Sequence, residues 1–196
     1  MSEIKAATIY FEKPGRHNSE RVFELAKKRA EDLKISNVIV ASTTGYCGSL
    51  AVKSFSNSEV IIVSHSAGYA GVNTQELTQE NRLIIENGGG RILTTQHSFA
   101  GVNRAIRKKM DTYQLNEIIA DVLRIFGPGM KVMFEIAMMT ADAGLIEIGK
   151  PVIAIAGSHR GADTAAILYP EYSENFFKIN LAEMICIPSI GHPLFK

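Results

Sequence analysis

The sequence predicts an α/β protein with a mostly parallel sheet and helices on both of its faces. Three observations predict it. Short aliphatic and β-branched runs recur along the chain, NVIVAS at 37–42, EVIIVS at 59–64, RILTTQ at 91–96 and PVIAIA at 151–156, and each reads as a strand buried on both sides. Helical patterns separate them, and parallel neighbours require such crossovers. With 46% hydrophobic and 21% charged residues, the 196 positions describe one globular domain with a sizeable core. That single domain is expected to cover residues 1–196, with a helical insertion at roughly 98–149.

Taken in order, ATIYF at 7–11 is a candidate edge strand. Residues 19–34 place Val22, Leu25, Ala26, Ala30 and Leu33 on one helical stripe, with Asn18 or Ser19 as the N-cap. The strand at 37–42 runs into TTGYCGSLAVKS, a turn that opens a helix. After the strand at 59–64 comes a helix near 74–87, stopped by Gly88-Gly89-Gly90, and then the strand at 91–96. The stretch 98–149 is too long for one crossover. It carries Arg104, Arg107, Lys108 and Lys109 on a helix, an amphipathic helix at 115–126, a break at Gly127-Pro128-Gly129, and a helix at 130–144 that is apolar nearly all round and so expected to be buried. Met130, Met133, Met138 and Met139 on that helix read as core filler. Beyond the strand at 151–156, GSHRGADTAAIL reads as a turn followed by a helix, and MICIP at 184–188 as another edge strand.

Composition excludes several function classes. A formal net charge of +1, with basic residues spread along the chain, lacks the broad stripe that nucleic acid requires. Cys47 and Cys186 stand in unrelated contexts, which argues against a disulfide framework and for a reducing compartment. No apolar run has the length of a membrane span or the form of a signal peptide, so a cytoplasmic protein without a membrane partner is expected. The five histidines lack the spacing of a zinc site. His17 and His192 lie in contexts that assign them no role.

Four strand ends carry small polar segments, STTGYCGS, SHSAGYAG, TTQHSFAG and AGSHRGADT. In open α/β sheets ligands collect outside the carboxyl ends of the strands, so these segments predict a small-molecule site. Two of them share a motif: VSHSAGYAGVN at 63–73 returns as QHSFAGVN at 96–103. Either the repeated pair, His65-Ser66 and His97-Ser98, forms two walls of one crevice, or both copies are starts of helices with Ser66 and Ser98 as caps. In Ser42-Thr43-Thr44-Gly45-Tyr46-Cys47-Gly48-Ser49, a strand, hydroxyls with glycine and then a helix offer backbone N–H groups and a positive dipole end to a phosphate. The segment resembles the flavodoxin phosphate loop at Ser42, Thr44 and Gly45; Cys47 departs from that pattern. Glu135 and Asp142 share a face of the apolar helix, where a Lys131–Glu135 pair is the favoured reading.

The segments YFEKPGRHNSERV, VASTTG, EIAMMTADAGLI, VIAIAG and GADTA resemble stand-alone archaeal and bacterial proteins similar to the carboxy-terminal domain of pyruvate kinase. The resemblance implies a three-layer α/β/α fold, a mostly parallel sheet with one antiparallel edge strand, and a crevice that in pyruvate kinase takes up sugar-phosphate effectors. It implies flavin mononucleotide as the favoured ligand and no kinase activity, because the catalytic barrel has no counterpart. On that basis Thr43, Thr44, Gly45 and Ser49 would take the phosphate, together with Ser42 of the loop. Tyr46, Tyr69 and Phe99 are candidate walls for the ring system. Ser158, His159, Arg160 and the amides around Gly157 and Gly161 would meet its polar edge, with Asp163 holding Arg160 or the ribityl hydroxyls. His65, Ser66 and His97 would contact the phosphate or move protons. Two alternatives stand beside this reading: a hydrolase or transferase using Cys47 as nucleophile with His65 or His97 as base, and a non-catalytic module sensing a sugar phosphate or nucleotide. Whether the chain is an enzyme, and whether it forms a homo-oligomer, both stay open at this level.

Overall fold

The structure, a computed structural model, describes residues 3–189, so His192 and the outermost ends of the expected domain lie outside the described residues. The elements are β1 (Ile9–Phe11), α1 (Ser19–Leu33), β2 (Asn37–Ala41), α2 (Tyr46–Ser54), β3 (Glu59–Ser64), α3 (Gln79–Asn87), β4 (Arg91–Thr94), α4 (Val102–Met110), α5 (Leu115–Arg124), α6 (Pro128–Asp142), β5 (Val152–Ala156), β6 (Thr164–Tyr169) and β7 (Asn180–Pro188). They build a three-layer α/β/α fold around one seven-stranded sheet of order β1-β7-β6-β5-β2-β3-β4. No helix among the described residues is long and apolar enough to cross a membrane.

The layers follow from the two-residue period of the strands. Along β2, Val38 and Val40 face one side, where they meet Val22 and Ala26 of α1, Ala51 and Val52 of α2, and Ile85 of α3. Ile39 points to the other side, onto Met133, Ile136 and Ala137 of α6. The segment expected as an insertion therefore supplies the second helical layer. Its helix α6 starts where Gly127, at φ 108, breaks the chain and Pro128 takes the first helical position. Gly129 lies so close to β6 that a Cβ there would collide with Thr164. Outside α6 packs α5, through Ala120 against Met138.

Four expectations require correction. TAAIL in GSHRGADTAAIL is a strand, β6, paired antiparallel to β5 from Val152↔Leu168 to Ala156↔Thr164. Alanine and leucine favour helix locally, but five consecutive residues of β6 are buried, four of them paired on both sides, and that pairing overrides propensity. The one antiparallel strand is consequently internal, between β5 and β7, and the edges are β1 and β4. MICIP belongs to β7, whose outer side is covered by β1. The helix expected near 74–87 begins only at Gln79, where the Thr78 side chain accepts from the Asn81 N–H at 3.2 Å.

Candidate functional site

Because β2, β3, β4 and β5 are mutually parallel, their carboxyl ends share one rim. A cavity of about 660 Å³ opens there, between the α2 N-terminus, the segment after β3, the loop 157–163 and the side of α6. Of the residues singled out from the sequence, Ser42, Thr43, Thr44, Tyr46, His65, His97, Gly157, Ser158, Arg160 and Gly161 line it, as do His159 and Tyr69.

The loop between β2 and α2 is held from below. Ser42 Oγ accepts the Gly48 N–H at 3.1 Å, and Asn81 of α3 donates to the Thr44 carbonyl at 2.9 Å. Helices leave their first amides without internal partners, and Tyr46 and Cys47, the first two residues of α2, line the cavity. Arg16, delivered by the turn after β1, lies over the Tyr46 ring at 3.8 Å and makes no ion pair among the described residues.

Gly45, Ser49, Ser66, Phe99 and Asp163 do not line this cavity. Gly45, at φ 93, is needed because a side chain there would strike Asn81 and Leu77. Ser49 is buried and donates to Asn81 Oδ1 at 3.0 Å. Phe99 lies in the small core beside Ala120 and Met138. Asp163 is fully buried and holds the walls rather than a ligand: its Oδ2 accepts from Gly15 N at 2.9 Å and Ser158 N at 3.1 Å, and its Oδ1 accepts from Thr164 Oγ1 at 2.8 Å. It therefore does not hold Arg160. Ser66 faces a separate shallow depression and caps no helix; Ser98 caps none either, since α4 starts from Gly101.

The two repeated histidines do meet. Their ring centroids are 5.2 Å apart, and Tyr69 stacks on His97 at 5.1 Å with 13° between planes. His97 Nε2 accepts the Ser66 N–H at 3.3 Å, which places its proton on Nδ1, 3.8 Å from Glu135 Oε2. Burial pushes the His97 imidazole below its ordinary 6.5, against the upward pull of Glu135. The contact is then between a neutral ring and a carboxylate, and Glu135 finds its counter-charge in Lys131, at 2.5 Å, with a further hydrogen bond from Phe99 N at 3.2 Å. This is the pair the sequence favoured; Asp142 instead accepts from Ser173 N at 2.9 Å. On the other histidine, Glu76 Oε2 lies 2.7 Å from His65 Nδ1, and Thr43 Oγ1 lies 3.2 Å from His65 Nε2.

Sequence reasoning did not assign Arg16 or Glu76. Neither has a local signal, because each reaches the rim from a loop whose path only the tertiary structure sets. Cys47, at the first turn of α2, is 4% exposed, and burial pushes its thiol up to about 12 despite the nearby Arg16. Ser158 Oγ is shielded from solvent and has no hydrogen-bond partner among the described residues. No group of three or more histidine, cysteine, aspartate or glutamate side chains placed to hold a metal occurs among the described residues. The family model for the alpha/beta domain of pyruvate kinase matches residues 20–168, from α1 into β6.

Proposed function

This chain belongs to the pyruvate kinase alpha/beta domain family, and from that premise we propose that it binds a phosphorylated small molecule, flavin mononucleotide foremost, at the carboxyl ends of β2, β3 and β5. The observation that carries the reading is one cavity that combines a helix N-terminus, the Arg16 cation, without an ion pair among the described residues, and the flat rings of Tyr46 and Tyr69. Such amides and charge favour a dianionic phosphate, and about 660 Å³ lies within the usual range for small-molecule pockets.

The residues present fit the group in a form narrower than the flavodoxin pattern implies. Thr43, Thr44, the first-turn amides of α2 and Arg16 would hold the phosphate, without Gly45 and Ser49. Tyr46 and Tyr69 would wall the ring system, and the 157–161 loop would meet its polar edge. A bound flavin supplies reversible electron and hydride transfer. Against the thiol-nucleophile alternative, a Cys47 thiol raised to about 12 is protonated at neutral pH.

Titration with flavin mononucleotide and with riboflavin tests the reading, following visible absorbance and fluorescence. The phosphorylated form should bind at least about tenfold tighter, and Arg16→Ala should remove most of that difference. Equal affinities for the two forms in the unmodified protein overturn the phosphate assignment.

A further inference from the structure

Three side chains on the cavity wall form a hydrogen-bonded chain that ligand binding alone leaves without a role. Glu76 Oε2 sits 2.7 Å from His65 Nδ1, and His65 Nε2 sits 3.2 Å from Thr43 Oγ1. The carboxylate holds the imidazole proton on Nδ1, so the Nε2 lone pair faces the hydroxyl and Thr43 donates to it. A carboxylate that orients an imidazole, and an imidazole that takes a hydroxyl proton, define a nucleophile relay by geometry, whatever the fold.

The surroundings supply what else such a relay requires. Thr43 stands between the carboxyl end of β2 and the first turn of α2, the strand-to-helix turn at which α/β hydrolases place their nucleophile. The first turn of α2, which begins at Tyr46, offers amides and a positive dipole end to negative charge developing on a carbonyl oxygen. His65 and Glu76 are 29% and 30% exposed, so the relay is open to a substrate, and Tyr69 packs on the His65 ring at 4.2 Å and holds its plane. Arg16 and Arg160, which line the same cavity, favour an anionic substrate.

We propose that Thr43, His65 and Glu76 form an acyl-transfer relay that hydrolyses carboxylic esters bearing an anionic group. The inference goes beyond ligand binding and needs no flavin. His65 Nε2 removes the Thr43 hydroxyl proton as Oγ1 bonds to the ester carbonyl carbon, and the carbonyl π pair moves onto its oxygen at the α2 amides. Collapse of that oxyanion breaks the bond to the alcohol, which leaves with the proton from His65. Water then gives a proton to His65, attacks the acyl-threonine, and releases the acid while the proton returns to Thr43. The net change is ester plus water to acid plus alcohol, with no oxidation or reduction. Thr43 and His65 are the catalytic residues; Glu76 is a positioning residue. A phosphate has the shape and charge of the tetrahedral oxyanion, so inorganic phosphate competes for the same place.

The test uses the full chain with 4-nitrophenyl acetate, 4-nitrophenyl hydrogen succinate and 4-nitrophenyl phosphate. Nitrophenol should appear from both carboxylic esters with an initial burst, about tenfold faster in kcat/KM from the anionic succinate, and mass spectrometry of the quenched protein should place the acyl group on Thr43. Thr43→Ala should abolish the burst, and His65→Gln should lower kcat by about a hundredfold or more. Thr43→Ser should restore the burst. Glu76→Gln should slow the burst while its amplitude, which counts the folded active sites, stays that of the unmodified chain, a pattern that loss of folded protein does not produce. Absence of hydrolysis, hydrolysis unchanged in Thr43→Ala, acylation elsewhere, or turnover of the phosphate ester alone overturns the relay; equal rates for acetate and succinate overturn the anionic substrate. Flavin titration of the unmodified chain separates the two readings, because flavin binding without Thr43-dependent hydrolysis sinks only the relay.

Discussion

Asp163→Ala should be the most destabilising single change at the cavity rim. The carboxylate is fully buried and receives three hydrogen bonds, from Gly15 N, Ser158 N and Thr164 Oγ1. Alanine removes the acceptor and leaves the donors in place. The Thr164 hydroxyl can turn elsewhere, but two backbone N–H groups stay inside without partners, at about 1–3 kcal/mol each. Loss of the packed carboxylate adds to this, so the expected cost is about 4 kcal/mol. For a chain of this size that corresponds to a Tm lower by roughly 8–16 °C. Asp163→Asn should cost less, because its amide oxygen can still accept both backbone N–H groups while its N–H₂ donates to the Thr164 hydroxyl. Far-UV circular dichroism melts of the unmodified chain and the two variants, with urea titration as a check, read the effect. A drop under about 2 °C for Asp163→Ala would refute the assignment of Asp163 as the clamp between the two walls.

The buried neutral His97 makes stability pH-dependent: its folded value is depressed, so between that value and the unfolded ~6.5 the unfolded chain binds a proton that the folded one refuses. Stability should be complete above about 6.5 and decline as pH falls through the window, and urea midpoints of His97→Asn should show a flatter decline; an unaltered slope rejects this. Cys47, raised to about 12 by burial, should react with iodoacetamide at pH 7.5 at least about a hundredfold more slowly in the native than in the urea-unfolded chain. Rapid stoichiometric labelling of native protein would revive the thiol as a nucleophile. Gly157→Ala should cost about 1–3 kcal/mol, since its Cβ would collide with the Gly161 carbonyl; a melting temperature equal to that of the unmodified chain contradicts the close approach of these two backbones.

Much of the fold was legible because β2, β3 and β5 are short, continuous apolar runs bounded by turn residues, as parallel strands covered on both faces are; β4, with Arg91 and Thr94 exposed, is an edge strand and not one buried on both sides. Strand β6 was not. TAAIL is apolar without a period, and only its pairing with β5 and β7 decides for strand over helix. The duplicated histidines were legible in a stronger sense: each follows a strand, β3 and β4 pair directly, and the two rings consequently meet. Gly45 shows the limit. A glycine that lets an anion approach and a glycine that makes room for Asn81 look the same in sequence, and here the second applies. Glu76 and Arg16 escaped because nothing in their neighbours' identities reports which loop crosses the rim.

The bond from Gly15 N to Asp163 Oδ2 closes a span of 148 residues. During synthesis, Gly15 and Arg16 leave the ribosome long before the hairpin that carries Asp163 exists. Strands β2, β3 and β4 with α1–α3 can pair and bury their faces early, from contacts that are mostly sequential, whereas the Arg16 wall waits for nearly the last fifth of the chain. Closing so long a loop is an entropic step taken late. A nascent chain halted before β6 would therefore carry the Thr43 turn and His65 but no anchored Arg16, and the proposed anion site would be assembled only as the hairpin emerges.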